Sequence, residues 1–265
     1  MYSMSEIRNF FSVEFVSWGR DCAVAGMFLT RLPFPQIKNG NKKGRLAISM
    51  RSFPLIGALV GTIAGLVLMS MAALGLAPLA SAFVGLAAGI IVTGALHEDG
   101  LSDVADGLGG GNTVEKKLKI MRDSRIGAYG VLAVVFSVGI RATVLGGISS
   151  PELAAAIMIA SGAISRGLLP VTIFMLKPAR KSGLAKNAGT PDQEGWLKAL
   201  ILGALIGFLF LGPLGGLFGI LAGIAAAWFI AWLCQKQIGG YTGDTLGAVQ
   251  QIAEVSILIS VASVL

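Results

Sequence analysis

Residues 53–76 read FPLIGALVGTIAGLVLMSMAALGL and hold no charged residue. The stretch exceeds the roughly 20 apolar residues that carry a helix across a bilayer core. A buried core helix accounts for one such run. It does not account for six or seven in a chain of 265 residues that is 54% hydrophobic and 13% charged, with a mean hydropathy of +0.78. A soluble domain carries about twice that charged fraction. The composition therefore predicts an all-α fold: a polytopic integral membrane helical bundle, one domain over residues 1–265.

Working outward from 53–76, further spans are expected near 77–96, 129–149, 152–176, 197–213, 214–234 and 247–265, the first running over 54–75. The joints between them are of two kinds. GLAP (75–78), GGISSP (146–151) and GPLGG (212–216) are short, uncharged and rich in Gly and Pro, and read as tight hairpin turns. The other joints, 31–53, 97–128 and 177–198, collect Lys and Arg. If each tight turn closes a hairpin, every basic joint falls on one side. The positive-inside rule makes that side the cytoplasm of a cell (inner) membrane. The net charge of +7 is then one-sided and answers mostly to topology and anionic lipid, with an anionic substrate for the rest, and not to nucleic acid. The N-terminal segment ahead of Pro33 carries acids before its apolar part. It reads as mature sequence forming an amphipathic or membrane-dipping helix that ends at Arg31, Leu32 and Pro33. Cys22 and Cys234 lack metal-type spacing and read as reduced packing residues. Gly57, Gly61 and Gly65 repeat at the small-xxx-small spacing of closely packed helices.

Acids are scarce, yet ALHEDGLSDVADGLGGG (95–111) gathers Asp99, Asp103 and Asp106. If 97–106 continues the second span as helix, Asp103 lies about 40° from Asp99 and Asp106 about 20° to the other side, so all three share a face. Carboxylates so placed repel one another unless a cation sits among them, and hard oxygen ligands suit Mg²⁺, Mn²⁺ or Ca²⁺. A solvated helix end is the plainer alternative. Gly109 and Gly110 lie in a glycine run that either offers backbone N–H groups to a phosphate or merely ends the helix. His97, the one histidine, is a structural residue or a general base.

Two further polar islands fall on the same side. MRDSRIGAYG (121–130) supplies Arg122, Asp123 and Arg125; GGYTGDTLGAVQQIAE (239–254) supplies Thr242, Asp244 and Thr245. Asp123 and Asp244 are candidates to complete a metal site or to handle a proton. Arg122 and Arg125 are candidates to grip phosphate, with lipid headgroups as the competing partner. Arg141 and Arg166 lie within spans and should face the interior or snorkel. Arg166 serves either a phosphate in a membrane cavity or a buried acid.

HEDGLSDVADGLGGG, MRDSRIGAYG, GGYTGDTLGA and FLTRLPFP together resemble the cobalamin synthase (adenosylcobinamide-GDP ribazoletransferase) family, in the right order from residue 28 to 248. Glu98, where that family has an apolar or variable residue, is a departure and is not counted as a ligand. The resemblance implies an Mg²⁺-dependent phosphotransferase of late cobalamin synthesis. Its substrates would be adenosylcobinamide-GDP and α-ribazole or α-ribazole 5′-phosphate, and its products GMP and adenosylcobalamin or its 5′-phosphate. Asp99, Asp103 and Asp106 would hold the metal, and Arg122, Arg125 and Arg166 the phosphates. A homo-oligomer is compatible with this reading. Two other classes compete: an ion-coupled transporter, and a CDP-alcohol phosphotransferase making lipid.

Overall fold

The computed structural model describes residues 4–37, 44–180, 183 and 187–265. Lys38, Lys42, Lys43, Lys181 and Lys186 of the basic joints lie outside the described residues. The named elements are all helical: α1 (Met4–Leu29), α2 (Arg45–Ser49) with a short 3₁₀ turn (Met50–Ser52), α3 (Phe53–Ala73), α4 (Pro78–Thr93), α5 (Leu96–Gly110), α6 (Val114–Ile120), α7 (Ala128–Gly146), α8 (Pro151–Met175), α9 (Gln193–Ile238) and α10 (Gly243–Ala262). Five helices are long and apolar enough to cross a membrane, or up to six if the bent pair α4–α5 counts as one span.

α8 is the central post, flanked by α3 and α9. Its apolar stretch is 83% buried, against 28% for α7, whose outer face is left to lipid. The small residues on α3 do what their spacing predicts: a Cβ on Gly57 would sit 2.0 Å from the Gly162 carbonyl oxygen of α8, so only glycine permits the crossing.

The turns fall where the uncharged joints predict them. α9 is continuous only in its hydrogen bonding. Gly212 (φ 66°, ψ −175°) breaks it into arms 193–211 and 213–238. A Cβ on Gly216 would lie 3.0 Å from the Phe208 Cα, whereas residues eight apart in a straight helix are separated by about 12 Å. The arms therefore double back. Trp196 at the start of α9 packs on Phe174 at the end of α8, with ring centroids 5.6 Å apart. Tyr241, just past the end of α9, returns to bond the Lys177 carbonyl at 2.9 Å. The described residues of the 31–53, 97–128 and 177–198 joints thus gather at one end of the bundle, and the hairpin turns at the other.

One expectation needs correction. The second span does not run on as a straight helix through 97–106. It stops at Thr93, and the chain turns by 90° into α5. Gly94 (φ 65°) and Ala95 (φ 58°) both take left-handed backbone, and Ala95 is the one described non-glycine residue that does. Two successive left-handed residues cannot propagate a right-handed helix. Arg31 packs on the corner, its backbone N–H donating to the Val92 carbonyl at 2.7 Å. α5 therefore leaves the line of α4: its start, with Glu98, stays inside the bundle against Arg141, and its end, with Asp106, meets the start of α7. At the same end α1 is pinned by Asp21, which is fully buried and accepts from Arg45, from Ser49 Oγ at 3.2 Å and from Arg51 Nε at 2.7 Å. Arg51 also lies over the Trp18 ring, 4.4 Å from its centroid.

Candidate active site

α5 meets the start of α10 at a glycine-on-glycine contact. A Cβ on Gly100 would stand 2.8 Å from the Asp244 carbonyl oxygen and 3.0 Å from the Gly247 Cα. This approach brings acids more than 140 positions apart in the sequence into one electrostatic cluster. Asp103 is pushed up to about 7, first by burial and then by the negative charges of Asp244, Asp99 and Asp106, with Arg180 opposing. Asp99 is exposed and Asp103 half-buried.

Asp244 owes its position to a helix cap. The Thr242 side chain accepts from the Thr245 N–H at 3.2 Å, while Thr245 Oγ1 accepts from the Thr242 N–H at 3.2 Å. Thr242 Oγ1 also donates to Asp244 Oδ2 at 3.1 Å. A carboxylate in the first turn of α10 gains further from the helix dipole. The Lys177–Arg180 segment is strapped across this start: the Ala179 N–H donates to the Tyr241 carbonyl at 2.8 Å, and Tyr241 answers through Lys177. The strap delivers Arg180 to Asp244, with Nη2 3.4 Å from Oδ2. Burial weakens the hold of Arg180 on its proton, Asp244 offsets this, and the like charge of Arg122 adds to it. Arg122 therefore belongs to the same neighbourhood.

The remaining expected residues go elsewhere. Asp106 is turned to the start of α7: Oδ2 accepts from the Gly127 N–H at 2.7 Å and Oδ1 from the Gly130 N–H at 2.9 Å. It shares the α5 face, as the spacing predicts, but serves as a cap supplied by another helix. Asp123 is partly exposed and bound to Arg125 at 2.7 Å, which holds its carboxyl at about 2. That pairing occupies both residues, and Arg125 is 86% exposed. Gly109 and Gly110 take the second of their two readings, at the end of the helix. α5 runs through Gly110, so their N–H groups belong to its own ladder and not to a phosphate. A Cβ on Gly109 would meet the Tyr129 ring at 2.7 Å, a packing reason for glycine there. His97 is 3% exposed, and its Nε2 has no partner among the described residues.

Arg166 takes the second of its two readings. It lies 3.7 Å from Glu254, inside the bundle. Arg141 joins Glu254 and Glu98, each at 3.2 Å. Gln251 donates to Glu98 at 3.0 Å, and Gln250 bonds both Glu254 and Ser165. Two arginines and two glutamates thus balance inside the spans, around a cavity of about 30 Å³, enough for a water or two. Glu98 is part of this interior network and not of the rim. Sequence reading missed Arg180, counted only as one of several loop cations. It also missed Glu254, although QQIAE (250–254) inside an apolar helix is a signal of interior polarity.

The donors at the rim are carboxylate oxygens flanked by two guanidinium groups, the chemistry of a hard divalent cation with an anionic ligand. Among the described residues no three acidic, cysteine or histidine side chains close a ligand cage by themselves. A cation here would complete its shell with water and ligand oxygens, which is the habit of Mg²⁺.

Comparison with known proteins agrees with the motifs. The chain is 41% identical over 252 residues to an adenosylcobinamide-GDP ribazoletransferase of Rhizobium etli (strain CIAT 652), covering 92% of this chain and 97% of that one. It is 46% identical over 246 residues to the protein of that name in Mesorhizobium japonicum, covering 92% and 93%. A Sinorhizobium medicae protein of the same name is 37% identical, covering 96% and 97%. No solved structure matches. The cobalamin-5-phosphate synthase family model matches residues 21–262, so the chain belongs to that family of cobalamin-synthesis transferases.

Proposed function

We propose that this protein is an Mg²⁺-dependent adenosylcobinamide-GDP ribazoletransferase of the inner membrane, with its site facing the cytoplasm. It transfers the cobinamide-phosphoryl group of adenosylcobinamide-GDP to α-ribazole or α-ribazole 5′-phosphate. The observation that carries the reading is the meeting of Asp99 and Asp103 with Asp244 and Arg180 at the basic end of the bundle. The names of the relatives supply the substrate pair.

In the reaction a ribose hydroxyl of the ribazole bonds to the phosphorus next to cobinamide. The bond from that phosphorus to the bridging oxygen breaks, GMP leaves with the oxygen, and the proton of the attacking hydroxyl passes to solvent. Asp99, Asp103 and Asp244 are the residues that would offer carboxylate oxygens to Mg²⁺, with water and diphosphate oxygens completing its shell. When bound it neutralises diphosphate charge and eases departure of GMP. Arg122 and Arg180 stand beside these acids to meet phosphate oxygens. Asp106 holds the α5–α7 corner that carries Arg122. His97 is enclosed beneath the rim and is not assigned a proton.

The test uses purified protein in detergent or lipid with adenosylcobinamide-GDP, α-ribazole 5′-phosphate and Mg²⁺, following GMP. Release is expected, with near-complete loss in Asp99→Ala, Asp103→Ala and Asp244→Ala while the protein still inserts. Wild-type rates in all three would remove the site. Lipid product from CDP-diacylglycerol, or solute uptake by vesicles without GMP, would assign another class.

A further inference from the structure

The geometry points to Arg180 as a residue that changes partner: it neutralises Asp244 when no cation is present and binds the diphosphate once a divalent cation takes that carboxylate. The inference rests on the reading of the rim as a site for a cation and a diphosphate.

The Arg180 side chain is 18% exposed, yet its donors are poorly spent. Nη2 reaches the Leu118 carbonyl at 3.2 Å and Asp244 Oδ2 at 3.4 Å. Nε is buried and has no hydrogen-bond partner among the described residues. A settled arginine–carboxylate pair is bidentate, with contacts near 2.7–2.9 Å. Arg125 makes such a pair with Asp123, Nε to Oδ1 at 3.0 Å and Nη2 to Oδ2 at 2.7 Å, and Arg180 does not. The strap through Pro178 and Tyr241 holds the backbone of Arg180 against the start of α10, so a small motion of the side chain alone changes its partner. A dication bound by Asp99, Asp103 and Asp244 repels the guanidinium, and a diphosphate on that dication attracts it. Planar recognition of phosphate by a fork of donors is what arginine does better than lysine.

The two halves of this role have opposite signs, which a merely structural role does not produce. Arg180→Gln is expected to tighten Mn²⁺ binding to substrate-free protein by roughly tenfold, because a competing positive charge is gone. The same variant is expected to weaken binding of inorganic diphosphate to the Mn²⁺-loaded protein by about ten- to a hundred-fold. Arg180→Lys keeps the charge, so Mn²⁺ affinity stays near wild type while diphosphate binding weakens. Free Mn²⁺ is read by electron paramagnetic resonance and diphosphate by calorimetry, on purified full-length protein whose melting temperature is checked. Loss of both affinities in the Gln variant would make Arg180 a support for Asp244 and overturn the inference. So would no change in either, or a wild-type protein that binds no Mn²⁺. Opposite shifts in a protein that never releases GMP from adenosylcobinamide-GDP would leave this inference standing and remove the substrate assignment instead.

Discussion

Replacing Gly100 with alanine tests whether the contact between α5 and α10 sets the site. The added Cβ would meet the Asp244 carbonyl oxygen at 2.8 Å, the Gly247 Cα at 3.0 Å and the Asp244 Cα at 3.1 Å. All three are backbone atoms, so no side chain can swing aside. Ordinary carbon contacts begin near 3.5 Å, so the two helices must part by about 0.5 Å or more. Overpacking of this kind costs about 1–3 kcal/mol. The larger effect falls on chemistry, because the atoms pushed apart carry Asp103 on one side and Asp244 on the other. Misplacement of about 1 Å lowers turnover by as much as about 10²-fold; the smaller shift here predicts a loss of about tenfold. The assay is GMP release at saturating substrates and Mg²⁺, beside a thermal melt in the same detergent. Gly139→Ala is the control, since nothing lies within 4 Å of its Cβ position. Wild-type turnover in Gly100→Ala would refute the argument that this seam holds the acids in register.

Asp106→Ala strips the cap from Gly127 and Gly130 and should lower stability by about 3 kcal/mol, while Mn²⁺ affinity stays within a few-fold of wild type; a collapse of Mn²⁺ binding in a folded variant would return Asp106 to the ligand set. The folded-state value for Asp103, about 7, lies above its ordinary 3.8, so its proton favours the fold at low pH and that contribution is lost as pH rises through 7. Cation-free wild type should therefore melt lower at pH 8 than at pH 6, and either Mg²⁺ or Asp103→Asn should remove most of the difference; equal melting of wild type at both pH values would contradict this. Arg141→Ala leaves Glu98 and Glu254 short of a counter-charge inside the spans and should destabilise by about 3–5 kcal/mol, seen as loss of folded protein on extraction.

The membrane bundle was legible because hydropathy acts locally: an uncharged run of sufficient length selects a helix in lipid whatever its neighbours are. That the basic joints share one end of the bundle was legible for the same reason, since charge in a joint is a property of that joint. The corner at Gly94–Ala95 was not, because Ala95 carries no sequence signal for left-handed backbone. Nor was the division of labour among the acids. Asp99, Asp103 and Asp106 look equivalent on a helical wheel, and α5 does bring them to one face. Which of them meets Asp244 and which is taken by the N–H groups of α7 depends on how α5 docks.

The order of the spans, the basic end and the types of residue gathered there were determined by the sequence alone, through hydrophobic length, charge and family motifs. Tertiary structure alone decided the partners: Asp244 beside Asp103, Arg180 against Asp244, Asp106 on α7, and Arg166 with Glu254. The reason is that a carboxylate or guanidinium has the same chemistry wherever it stands in a chain. What it does depends on which opposite charge or N–H donor lies within about 3 Å, and that is settled only when distant segments pack.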